Sequence, residues 1–316
     1  MGSNIKKGLI FGILGNILVG FQPIVANSRP ESIDAYIFAA MTCLVEATIF
    51  IPLMLIELKL NRLKARNSNI LINTHDSILK NWKKNLKVLL FIGLLFSINQ
   101  LLFFIGYKLA GAINGALTQK TTVFFGLIFG YLILKEKITI VQIIFSIILF
   151  FGLVIAITQF SFNLENINLD LILGILTLLV ITCLWMLGHT ITKPIFSRNE
   201  VTPTQMVFIR NILSGSILFS TYFIFFPLQN LSVFLDPINN FYFFLMGTVY
   251  GLGLFCWYKT LSYLDVSKAT ILFSSTPIVT AVFATFILGE IFTIFHIIGT
   301  IIIIISIILI MRLKRN

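Results

Sequence analysis

Ten runs of roughly 20 mostly apolar residues each dominate the chain, and a helix of about that length crosses the hydrocarbon core of a bilayer. They occupy residues 8–26, 35–56, 88–107, 112–134 and 138–158 in the first half, and 171–191, 205–228, 241–263, 268–288 and 292–311 in the second. The runs show no alternation of period 2, and they are longer than the roughly 9–11 residues of a barrel strand, so they read as helices. A charged fraction of 11% against a hydrophobic fraction of 58% excludes a soluble globular domain, in which about a quarter of residues carry charge. The expected fold class is all-α integral membrane, with ten transmembrane helices.

The formal net charge of +11 would point to nucleic acid in a soluble protein. Here its distribution has another cause. Nineteen of the 23 Lys and Arg residues fall on the N-terminus, the second, fourth, sixth and eighth connections and the C-terminal tail, whereas Arg29 and Lys108 alone lie on the opposite connections. Basic residues stay on the cytoplasmic side, so the expected protein is a multi-pass cell-membrane protein with both termini cytoplasmic and an even number of spans. Residues 57–87 then form a basic cytoplasmic loop against anionic lipid head groups. The run after Lys6 and Lys7 lacks a small-residue cleavage site and reads as a retained first helix. Cys43, Cys183 and Cys256 sit in apolar stretches without metal or redox spacing and read as packing residues.

The two halves, 1–158 and 159–316, align at an offset of 154, where Leu134-Lys135-Glu136 meets Leu288-Gly289-Glu290 and Thr122 meets Thr276. Five spans per half place equivalent connections on opposite sides. The charges agree, because Lys135 and Lys137 flank Glu136 while Glu290 has no basic neighbour. Two inverted-topology five-helix repeats are a transporter architecture, with a site near the midplane and one half rocking against the other.

The Leu-x-Glu tails at Glu136 and Glu290, the Cys183-Leu184-Trp185 stretch and the Phe208-Ile209-Arg210 stretch resemble the drug/metabolite transporter superfamily, of the EamA-like kind. The resemblance spans both halves. It implies ten helices, cytoplasmic termini, and export or exchange of small metabolites such as amino acids or nucleosides.

Charged side chains deep in a span are costly and need a partner or an aqueous cavity. Glu46, Lys120 and Arg210 meet that description. Lys120 is expected either to hold an anionic or zwitterionic solute or to pair with Glu46, and Arg210 either to join the site or to extend toward the head groups. Glu46 is the candidate for proton coupling. Gln119, Asn99, Trp185 and Ser274 are the further candidate substrate-binding residues, with Asn16, Gln22, Gln100, His189, Tyr250 and Trp257 as other polar groups on the spans. Pro277 frees the carbonyl four residues earlier, so irregular helix is expected near Ser274. Glu136 and Glu290 read as hydrated or capping residues, or as proton carriers.

These features imply a secondary transporter working by alternating access on a small polar solute. A membrane-embedded enzyme acting on lipid would need a nucleophile–base or metal constellation, and a channel would need rings of charge or a filter loop; neither pattern is present in the sequence. No catalytic residue, cofactor or metal is expected. The expected partners are a small-molecule substrate and the lipid bilayer, without nucleic acid, and the expected assembly is a monomer or homodimer.

Overall fold

A computed structural model of the chain describes residues 2–67, 84–159, 168–198, 200–264 and 266–312. Among them are ten helices long and apolar enough to cross a membrane: Ile5–Ser28, Ala35–Glu57, Leu86–Ala110, Ala112–Leu134, Ile140–Thr158, Leu169–Ile195, Thr204–Phe225, Pro237–Thr260, Ile271–Leu288 and Ile294–Arg312. They are numbered here as spans one to ten. No described residue lies in a strand.

Two of the boundaries that differ from the sequence expectation have a clear physical cause. The second helix continues to Asn67, ten residues past its apolar stretch. Charge ends the membrane span there, but Leu, Lys and Arg are good helix formers and the helix carries on. Most of the expected loop, 68–83, lies outside the described residues. The seventh span stops at Phe225 and not at Leu228, because Pro227 pushes Phe226 out of the helical region into an extended conformation.

The chain divides into two compact units. One comprises Met1–Pro30, Leu102–Leu187 and Leu252–Asn316, the other Glu31–Leu101 and Gly188–Gly251. Each unit draws on both sequence halves, and in each a pair of repeat counterparts packs together. In the first unit spans five and ten pair; in the second, spans two and seven do so.

Apolar burial does little to drive helices together in lipid, where the alternative solvent is equally apolar, so close packing carries the association. The five–ten crossing shows how. Leu149, Leu153, Ile303, Ile307 and Ile310 are buried there, and Gly152 lies against Gly299 so closely that a Cβ added at Gly299 would sit 2.5 Å from the Gly152 carbonyl oxygen. Span five opens with a capping box between Thr139 and Gln142, and the Gln142 amide also donates to the Ile310 carbonyl at 3.2 Å.

The internal repeat is visible in the backbone. Lys135 and Gly289 are both left-handed, with φ of 57° and 69°. The following glutamates each donate a backbone N–H six residues back, Glu136 to the Gly130 carbonyl at 3.0 Å and Glu290 to the Ala284 carbonyl at 3.2 Å, which closes the two helix ends in the same wide turn. Side-chain chemistry then sets Glu290 to work: its carboxylate accepts from the Ala112 and Ile113 N–H groups at 2.6 and 2.9 Å. A carboxylate there satisfies first-turn donors and complements the positive end of the helix. Glu290 is therefore a cap for span four.

Outside the spans, Glu200 ties down the connection between spans six and seven. It accepts from Arg198 at 3.0 Å and from Asn85 at 2.8 Å, and Lys84 lies 3.6 Å away. The hydrogen bonds from Arg198 and Asn85 hold its carboxyl down to about 2 from an ordinary 4.5.

Two outcomes follow. Gly299→Ala forces backbone apart at the five–ten crossing and is expected to cost about 1–3 kcal/mol, read as a lower melting temperature in detergent. Glu200→Gln is expected to lower the melting temperature at neutral pH. Because the folded carboxyl titrates below the unfolded one, its contribution is complete above the ordinary carboxylate range, and the gap to wild type closes as pH falls from there toward 2.

Candidate functional site

Spans four and nine are both interrupted, at places related by the repeat. Span four runs as a helix over Ala112–Thr118, tightens into a 3₁₀ turn at Gln119–Thr121 and resumes over Thr122–Leu134. Span nine runs over Val266–Phe273, turns at Ser274 and Ser275, and resumes over Thr276–Phe283 before a π-helical turn at Ala284–Leu288. At the offset of 154, Ser274 is the counterpart of Lys120.

The two interruptions meet through a single hydrogen bond within the first unit. Proline lacks a backbone N–H, so Pro277 leaves the Phe273 carbonyl without its helical partner. The Lys120 ammonium donates to that oxygen at 2.9 Å. The Thr276 hydroxyl lies 2.5 Å from the same oxygen and 2.6 Å from Asn16 Oδ1, and its one proton serves one of them at a time. The Asn16 amide donates to Ser275 Oγ at 2.8 Å, tying span one to the turn. Phe273 is further held by an edge contact with Trp257, with ring centroids 4.9 Å apart.

Lys120 is half-buried, and an ammonium carries three donors, of which one meets the carbonyl. Beside it the buried Nε2 of Gln119 has no hydrogen-bond partner among the described residues. The first unit thus presents a cation and an amide donor with unused capacity at a helix interruption. Trp185 belongs to the same unit. It is half-buried with its ring 6.2 Å from that of Phe103, one turn beyond Thr182, whose hydroxyl lies 3.0 Å from that of Thr121.

Glu46 and Arg210 meet in the second unit, at the crossing of spans two and seven. The guanidinium does not extend outward as a snorkelling residue would: its side chain is 7% exposed, that of Glu46 is 0% exposed, and Arg210 Nη2 lies 3.7 Å from Glu46 Oε2. Asn211 bridges them, donating to Glu46 Oε2 at 2.5 Å and accepting from Arg210 at 3.4 Å. The guanidinium also stands 4.5 Å over the Phe96 ring, a cation–π contact that gains when desolvated. Glu46 therefore takes Arg210 as its counter-ion and Lys120 takes a carbonyl, in place of the Glu46–Lys120 pair considered from the sequence. Glu46 Oε1 and Arg210 Nε have no hydrogen-bond partner among the described residues. Asn99, one turn after Phe96 on span three, is buried with neither end of its amide hydrogen-bonded among the described residues, and Gln100 Nε2 is in the same condition.

Of the residues singled out from the sequence, the first unit gathers Lys120, Gln119 and Ser274 around the interruptions and also holds Trp185. Glu46, Arg210 and Asn99 lie in the second. Asn211, Ser275, Thr276 and the Phe273 carbonyl were not singled out as site residues. Pro277 pointed to the carbonyl, while nothing in the sequence marks Asn211 as the bridge. Among the described residues no cluster of His, Cys, Asp or Glu is arranged to hold a metal.

Ten membrane-length helices in two five-helix repeats, with matched interruptions and buried charge, define a polytopic carrier-type membrane protein. The chain belongs to the EamA-like transporter family, whose profile matches residues 6–158 and 172–312. It is a membrane transporter of the drug/metabolite type. A solved crystal structure shares its fold at a TM-score of 0.66 and 13% identity, covering 98% of both chains. No curated protein matches the sequence.

Arg210→Met leaves the Glu46 carboxylate buried without its counter-ion, and breaking such a pair is expected to cost about 3–5 kcal/mol. Glu46→Gln/Arg210→Met should lose less than the two single variants combined, as read by thermal unfolding of the purified protein.

Proposed function

We propose that this protein is a secondary carrier that exports or exchanges a small polar metabolite with an anionic or zwitterionic group, an amino acid or a related solute, by alternating access across the cell membrane. The distribution of basic residues supports an orientation with both termini in the cytoplasm. The observation that carries the reading is the state of Lys120: a half-buried ammonium whose one acceptor among the described residues is a neutral carbonyl, beside the Gln119 amide nitrogen that has no hydrogen-bond partner among them. A carboxylate or phosphate is the acceptor that meets both groups with charge-assisted hydrogen bonds. Ser274 and Trp185, in the same unit as Lys120, are assigned to the solute's path, and Asn99 and Arg210 are assigned a role in transport within the second unit.

In this reading Glu46 carries the coupling proton. One of its oxygens is held by Asn211 and Arg210, and the other lacks a hydrogen-bond partner among the described residues, which leaves a place for a proton without dismantling the pair. A carboxyl so placed couples transport to a pH gradient when it loads and unloads within the cycle.

Purified protein in liposomes, offered amino acids, nucleosides, phosphorylated metabolites and cationic drugs, is expected to move an anionic or zwitterionic member of the panel. Lys120→Met should lower transport about 10–150-fold, the equivalent of losing a hydrogen bond to a charged group worth about 1.5–3 kcal/mol, with thermal stability retained. Normal transport of every wild-type substrate by this variant overturns the assignment. Glu46→Gln should remove any acceleration by a pH gradient, and an acceleration that survives in the variant removes Glu46 from the coupling role.

A further inference from the structure

We propose that Pro277 is a positioning residue that sets the carrier's affinity for the solute's anionic group, because it keeps the Phe273 carbonyl as the resting partner of Lys120. The inference rests on the assignment of Lys120 to the solute.

Away from water an unpartnered backbone carbonyl and an unpartnered ammonium are each costly. Pro277 creates the first by withholding the N–H that would reach Phe273 in a regular helix, and Lys120 supplies the second from the counterpart interruption in the other repeat. At 2.9 Å each relieves the other. Lys120 thus sits on an internal ligand that is neutral and replaceable.

Replacement favours one class of solute. The bond to the carbonyl is charge-assisted on the donor side alone, whereas an anionic oxygen adds the attraction of opposite charges to the hydrogen bond, so a carboxylate or phosphate displaces the carbonyl with a net gain. A neutral amide or hydroxyl offers no more than the carbonyl it displaces and is rejected by comparison. The released carbonyl is not abandoned, because the Thr276 hydroxyl already lies 2.5 Å from it. Committing that proton to Phe273 takes it from Asn16 Oδ1, 2.6 Å away, so loading of the solute is transmitted to span one. Asn16 keeps its bond to Ser275.

Any residue with a backbone N–H at position 277 competes with Lys120 for the carbonyl and frees the ammonium. Pro277→Ala and Pro277→Gly both restore the N–H, yet they differ from each other in helix propensity by about 1 kcal/mol, so agreement between them separates the hydrogen bond from flexibility.

The test is a thermal-shift titration of the detergent-purified full chain with L-alanine, acetate and inorganic phosphate, with alaninamide as the probe lacking a carboxylate. At least one anionic or zwitterionic probe should raise the wild-type melting temperature while alaninamide does not, and Lys120→Met should abolish the shift. Pro277→Ala and Pro277→Gly should both lower the half-saturating concentration about two- to tenfold, the range of one neutral hydrogen bond. Combining either with Lys120→Met should erase the gain. No shift with any probe, or a shift that survives Lys120→Met, overturns the anion site and this inference with it. A shift that needs Lys120 but is unchanged in both Pro277 variants, or moves in opposite directions in them, overturns the role of Pro277 alone. If one variant fails to fold, the other decides the outcome by the same criterion.

Discussion

A backbone carbonyl inside a bilayer has no water to turn to, and the partner found for the one at Phe273 organises the first unit. Pro277 breaks the helical pattern, Lys120 answers from span four, and Thr276 and Asn16 complete the local bonding. The same demand accounts for the other deep polar groups. Glu290 is spent on two orphan N–H groups at the start of span four. Glu46 is held by Arg210 and Asn211. In each case a group expensive to bury is placed where a second expensive group needs it.

Repetition supplies the frame for these pairings and divergence supplies the chemistry. Spans two and seven pair in one unit and five and ten in the other, as counterparts do about a pseudo-two-fold axis. Lys135 and Gly289 turn the chain the same way, and the interruptions at Gln119–Thr121 and Ser274–Ser275 fall at matching places. The side chains at those places are no longer alike. Lys120 faces its counterpart's neighbourhood as a cation where Ser274 is a hydroxyl, so a symmetrical scaffold carries unlike side chains at its two interruptions. Five-helix repeats of opposite orientation offer each side of the membrane a similar backbone, and this difference in side chains gives each interruption its own chemical character.

The ten spans were legible because hydropathy over 20 residues is a strong signal, and the repeat was legible through Leu134-Lys135-Glu136 and its counterpart. The extension of the second helix to Asn67 was not, since charge marks where a membrane span ends and helix propensity decides where the helix ends. The interruption at Ser274 could be read from Pro277. The one at Gln119 carries no proline or glycine of its own and was not expected from the sequence. Depth in the membrane follows from counting along a span, which is how Glu46, Lys120 and Arg210 were found. Which helix each faces depends on packing, and so the Glu46–Arg210 pair and the bridging Asn211 had to come from the fold. Pairing repeat counterparts, span two with span seven, was the available clue.

A structure of the full chain determined with its transported solute bound tests the central claim most directly. The expected result is an anionic oxygen of the solute within hydrogen-bonding distance of Lys120 Nζ, the Gln119 amide turned toward it, and the Phe273 carbonyl left to Thr276. A solute seated elsewhere, with the Lys120 ammonium still on the Phe273 carbonyl, would contradict it.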